Sequence, residues 1–215
     1  MPKTVKEALA LDHKNGNTLW VDAIAKEMKE LCIAFNILPE GRSAPIGYQK
    51  IPCHMIFDMK MDDFQQKAQL VAGGHLTQAP VTITYASVVS RETVHLALTF
   101  SSLNDLEVKV GNVLNAYITA PVMEKVWAIL GPEFGHDSGK RAVIVHALYG
   151  LKSAGAAFQA HLASFMCQMG YTSCKADPDL WLKAVTRPRI KCITTLTFYA
   201  MLMTYCAYTM TLCQL

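Results

Sequence analysis

Charge is what this sequence runs short of first. From Cys192 to Leu215 there is no Asp, Glu, Lys or Arg, and 17 of those 24 residues are apolar. Such a length suffices to span a bilayer, but six threonines and no basic residue downstream make it a poor span, so no membrane partner is expected. Cysteine is present seven times, yet no C-x-x-C pair and no Cys/His cluster at zinc spacing occurs, which argues against a structural metal. Free thiols in a reducing compartment follow. The N-terminus has no apolar signal region, being kept polar by Lys3, Lys6, Asp12, His13 and Lys14. The expectation is an intracellular protein, cytoplasmic or nuclear, and not a secreted one. Internal repeats and low-complexity linkers are also missing.

What is present is 215 residues with a formal charge of +3, enough for one large domain or two small ones. The mild basic bias permits nucleic-acid binding without arguing for it. Residues 18–31 read as a helix: Asn17 or Thr18 caps it, and Trp20, Ile24, Met28 and Leu31 form one apolar stripe. Across residues 49–60, Ile51, Cys53, Met55, Phe57 and Met59 alternate with Lys50, His54, Asp58 and Lys60, a half-buried strand. Asp62-Asp63 turns the chain into a second strand over 64–71, completing a hairpin with Gln65, Lys67 and Gln69 on one face. Ser90 is placed to cap a helix over 91–103, with Glu92 in its first turn. A short strand of Leu106, Val108 and Val110 then runs into a turn at Gly111-Asn112. Strands over 125–130 and 141–146 flank a Gly-rich loop. A helix ending at Met169 follows, with Phe158, Leu162, Phe165 and Met169 inward and Gly170 just past its end.

Four segments recur in an order that carries a resemblance. They are K-A-Q-L-V-A-G-G-H from Lys67, N-V-L-N-A-Y from Asn112, L-Y-G-L-K from Leu148, and A-D-P-D-L-W from Ala176. Each is weak alone; as an ordered set they resemble the reverse transcriptases of copia-type retrotransposons over about residues 18–188. The resemblance implies an α+β fold, the polymerase right hand. Residues 18–87 and 120–155 would be fingers, 88–119 and 156–187 a partial palm, 1–17 an N-terminal extension and 188–215 an aberrant apolar tail, with thumb and RNase H absent. It also implies Mg²⁺ as cofactor, and an RNA or DNA primer–template and deoxynucleotides as partners.

Carried over residue by residue, the resemblance places Asn112 where the family has the metal-binding Asp of its first motif. Lys67 and Gln69 fall near the triphosphate, with Gln69 in the place of an Arg. Tyr117 falls at the steric gate that excludes a 2′-hydroxyl, or is an ordinary half-buried Tyr. Lys152 and Ser153 fall beside the nucleotide, where Ser153 replaces a Gln or simply enters a helix. Asp177 and Asp179 flank Pro178, and a turn and helix-start role is favoured over metal binding.

Two Mg²⁺ ions stabilise the attacking and leaving oxygens in polymerases, and hard cations need anionic oxygen ligands. Asn112 offers a neutral carbonyl, and the family's second metal motif, a Y-V-D-D box, is missing. Codon arithmetic suggests where it went. Met is ATG and Thr ACN, so one frame over Met203-Thr204 forces Asp, and Met210-Thr211 forces another. Ala200 to Thr204 then permits Tyr-Val-Asp-Asp if Ala200 is GCT and Leu202 is TTG, which puts a frame slip at about residues 188–191. The expected protein is therefore a decayed reverse transcriptase without activity, its palm cut before the metal-bearing hairpin, leaving an open sheet edge and marginal stability. Two other readings stand beside it: a non-enzymatic nucleic-acid-binding remnant and a tail-anchored membrane protein.

Overall fold

The computed structural model describes residues 1–61, 64–77, 84–104, 107–186, 193–204 and 206–213. In chain order the elements are α1 (Val5–Asn15), α2 (Leu19–Leu31), β1 (Phe35–Ile37), β2 (Gln49–Lys50), β3 (Cys53–Met59), β4 (Gln66–Ala72), α3 (Arg91–Leu103), β5 (Glu107–Val113), β6 (Val126–Ile129), β7 (Arg141–Ile144), α4 (Ala154–Gln168), β8 (Thr172–Ser173), β9 (Leu180–Thr186), β10 (Ile193–Thr204) and β11 (Cys206–Cys213). This is an α+β chain. It divides into two compact units, Met1–Thr84 with Tyr117–Phe158, and Tyr85–Ala116 with Gln159–Leu215. The expected turn at Asp62-Asp63, the start of the strand at Leu106 and the slip region at 188–191 lie outside the described residues.

In the first unit, β1, β7, β6 and β2 form a four-stranded sheet in that order, and β3 pairs with β4 as an antiparallel hairpin. The single strand expected over 49–60 is broken at Pro52. That residue has no N–H to give a ladder, so Gln49–Lys50 joins β6 in parallel while Cys53–Met59 joins β4. Helix α2 packs on β4 with Trp20, Ile24, Met28 and Leu31 buried, as their spacing predicts. Its start is satisfied from a distance. Thr18 makes no side-chain cap; the buried Asp12 carboxylate accepts from the backbone N–H groups of Trp20 (2.9 Å) and Val21 (2.9 Å). Asp12 lies on α1, a helix unforeseen within the N-terminal extension, where Thr4 accepts from Glu7 N at 3.2 Å and Gly16 ends it at φ 64°.

In the second unit, the sheet order is β5-β11-β10-β9-β8. Ser90 caps α3 as expected, its hydroxyl accepting from Thr93 N at 3.0 Å. Val89 and Leu180 form a small core with Val94, Cys174 and Leu182. Two expectations fail here. The apolar tail is two strands lying between β5 and β9, antiparallel to both, so the sheet edge expected where the palm stops is filled. No described helix is long and apolar enough to cross a membrane, and the described residues of the tail are strand. On α4, Met166 is buried while Phe165 and, just past the helix end, Met169 are each 49% exposed. The apolar face thus runs through Phe158 and Met166. Gly170 does end the helix region in the left-handed conformation, φ 82°.

Candidate active site

The stretch expected to turn at Gly111-Asn112 stays in the strand. Thr209 and Tyr208 of β11 pair with Gly111 and Asn112, and ladder pairing overrides their turn propensity. The turn comes at Leu114-Asn115, with Asn115 at φ 49°, a conformation Asn tolerates better than most residues. Tyr208 pairs in turn with Leu202, so Asn112, Tyr208 and Leu202 stand on one rung across β5, β11 and β10. The next rung is Val113, Ala207 and Met203, and the hairpin closes at Thr204 opposite Cys206.

This junction of the first-motif strand and a hairpin tip is poor in acid. Neither β10 nor β11 contains Asp or Glu. The one acid of β5, Glu107, pairs with Cys213 at the far end, five residues from Asn112 and so about 17 Å along the strand. A divalent cation of the Mg²⁺ type needs carboxylate oxygens. The residue types on these two rungs do not fit one. Among the described residues, no three His, Cys, Asp or Glu side chains converge on a metal position.

Asp177 and Asp179 serve the second unit's frame. Asp177 accepts from Ser90 N at 3.0 Å and from Asp179 N at 3.1 Å, joining the turn before β9 to the start of α3. Burial alone would raise its pKa, but hydrogen bonds from Thr93, Ser90 and Asp179 outweigh that and hold it below the ordinary value. Asp179 is buried and accepts from Gln159 Nε2 at 2.5 Å, while the same amide nitrogen donates to Ser87 Oγ at 2.7 Å.

In the first unit, the K-A-Q-L-V-A-G-G-H and L-Y-G-L-K segments meet. Ala72 N donates to Tyr149 O at 2.7 Å, and Lys152 Nζ donates to Thr77 O at 2.5 Å. Lys67 is exposed and pairs in register with Asp58; Gln69 is half-buried opposite Ile56. Tyr117 sits in a short 3₁₀ turn, Ala116–Thr119. Its ring meets Tyr149 edge-on at 4.8 Å and Phe158 at 6.3 Å, and burial raises its pKa. Ser153 is 1% exposed, leaving no surface for a nucleotide. Its backbone N–H instead donates to the buried Glu124 carboxylate at 2.9 Å.

Two residues that the sequence reading passed over matter here. Tyr149 fixes the position of the Tyr117 ring, and Glu124 caps α4 from 29 positions away. The first was legible as the aromatic of L-Y-G-L-K; the second had no local signal. A family model described as reverse transcriptase (RNA-dependent DNA polymerase) matches residues 41–210, a span that runs through β10 and into β11. No curated protein matches the chain.

Proposed function

The chain belongs to the reverse transcriptase (RNA-dependent DNA polymerase) family, and from that premise we propose that it is the polymerase domain of a copia-type retrotransposon in a copy that no longer polymerises. The rung Asn112–Tyr208–Leu202 carries this reading. In a working enzyme of this kind, the first-motif strand and the adjacent hairpin supply carboxylates to Mg²⁺; here the residues paired across these strands are Asn, Tyr and Leu, none of them an acid. Metal clamping is worth several kcal/mol of transition-state stabilisation, so losing the ligands costs orders of magnitude in rate.

On this reading residues 18–87 and 120–155 are fingers, and residues 88–119 and 156–187 a partial palm. The exposed Lys67 and the half-buried Tyr117 support a role toward a deoxynucleotide, with a primer–template as the larger partner, in the cytoplasm or nucleus. Lys152 is engaged by a backbone carbonyl and acts first as a structural cation. The shifted-frame Asp pair would be encoded across codons 202–204. Those codons belong to the end of β10, beside the hairpin tip, and this position supports a frame slip as the source of the missing box. A second reading, a nucleic-acid-binding remnant without catalysis, is favoured by the exposed Lys67 and separable by a salt-dependent gel shift.

Primer extension tests the proposal. The purified chain, checked for folding by circular dichroism, is given an RNA template, a DNA primer, deoxynucleotides and Mg²⁺. No extension is expected, and templated incorporation overturns the claim of inactivity.

A further inference from the structure

The four-stranded sheet of the first unit has one face that is only partly covered. Pairing places Asn36, Val143, Trp127 and Lys50 on one rung, with Arg141 and Ile129 on the next rung of the same face; of these only Val143 is buried. Lys50 Nζ lies 5.7 Å from the centre of the Trp127 ring and Arg141 Cζ lies 6.0 Å from it. The cations come from the strands on either side of β6. Lys50 and Arg141 are exposed, Trp127 is half-buried and Ile129 is 43% exposed. Arg141 Nη1 also donates to Arg42 O at 3.5 Å. Together with Arg42, His136 and Lys140 it lines an adjoining groove of about 550 Å³. The acids facing this strip are Glu40 in the groove, and Asp137, which is already held by Lys140 at 2.7 Å and His136 at 3.1 Å. Lys50, Arg141 and Arg42 set against Glu40 leave the strip positive.

We propose that this face binds single-stranded nucleic acid, with one base stacked on Trp127 and phosphates held by Lys50, Arg141 and Arg42. Both cations stand near the roughly 6 Å outer limit of cation–π attraction. Either can therefore swing to a phosphate and free a ring face for a base. Stacking on an aromatic is tolerant of base identity, because every base has a π-face. The inference rests on reading the chain as one that handles nucleic acid, and not on its polymerase chemistry.

Fluorescence provides the test, because Trp20 and Trp181 are 6% and 8% exposed, so a bound strand quenches Trp127 selectively. The probes are a labelled thymidine oligomer of about a dozen nucleotides, an abasic oligomer of equal length, a primer–template duplex and a poly-glutamate peptide. The thymidine strand should quench the chain and bind more tightly than the abasic one. Lys50→Glu with Arg141→Glu should weaken it by roughly 10-fold or more at low salt, and Trp127→Ala should erase the preference over the abasic strand. Circular dichroism confirms that each variant folds, with Lys50→Gln as the milder substitute. Unchanged affinity in the folded double variant, or equal affinity for poly-glutamate, overturns the inference. Binding of the duplex alone overturns it while leaving the nucleic-acid reading intact. Failure of the unmodified chain to bind either nucleic acid removes both.

Discussion

Gly74 and Gly150 meet backbone to backbone. A Cβ built on Gly74 would run into the carbonyl oxygen of Gly150, and one on Gly150 into the carbonyl oxygen of Ala72. This close approach locks the L-Y-G-L-K turn to the end of β4, and so sets the positions of Tyr149, Lys152 and the first turn of α4.

Gly150 also has φ +90°, so Gly150→Ala combines backbone strain with a clash against rigid main chain. A loss of about 2 kcal/mol or more is expected in urea unfolding. Gly139→Ala is the control. Its φ is +85° but nothing lies within 4 Å of its Cβ position, so it should lose only about 1 kcal/mol. Equal losses at the two sites would show that strain alone matters.

The cap on α2 makes a second prediction. Asp12→Ala leaves the Trp20 and Val21 N–H groups unpaired in a buried place and should cost about 1–2 kcal/mol. The Thr18 hydroxyl accepts from no backbone donor of α2; it donates to the Asp22 carboxylate at 2.9 Å. Thr18→Ala should therefore stay within about 0.5 kcal/mol. The reverse ranking would show that the adjacent residue, not the distant carboxylate, caps the helix.

These two features mark how much could be read from the chain. The stripe of α2, the Ser90 cap and the β3–β4 hairpin are local patterns, and the structure keeps them. Helix α1 had local signals too, in the pairing of Thr4 with Glu7 and in Gly16, but its short apolar face buries only Ala8 beside Asp12. What was illegible depends on partners distant in sequence. β11 holds Gly111 and Asn112 in a strand, and β5 and β9 turn an uncharged tail into ladder. At the candidate site, Asn112 was found by its motif, whereas its rung neighbours Tyr208 and Leu202 required the register.

Two carboxylates, Asp177 and Glu27, should act on stability in opposite directions of pH. Asp177 is held below its ordinary 3.8. Its stabilising effect is therefore full above that value and lost as pH falls through the folded pKa. Glu27 is raised from 4.5 because burial outweighs the hydrogen bond from Leu70 N. Its folded state favours the protonated form, which is most stabilising below 4.5 and loses effect as pH rises through the raised value. Denaturant midpoints across pH should flatten at the lowest values in Asp177→Asn and above 4.5 in Glu27→Gln. Changes in the opposite windows would contradict both assignments.

Asn112→Asp alone should not restore primer extension. Position 112 still pairs across the sheet with Tyr208 and Leu202, neither of them an acid, and clamping two cations requires ligands from both strands. Extension by this single variant above background would show that the hairpin is not needed for metal binding.

The DNA encoding residues 200–204 gives the most direct measurement of whether the metal site was lost twice, once at Asn112 and once by a frame slip. Codon GCT at Ala200 and TTG at Leu202 are predicted, so that one frame over the segment reads Tyr-Val-Asp-Asp. Any other codon at either position would contradict it.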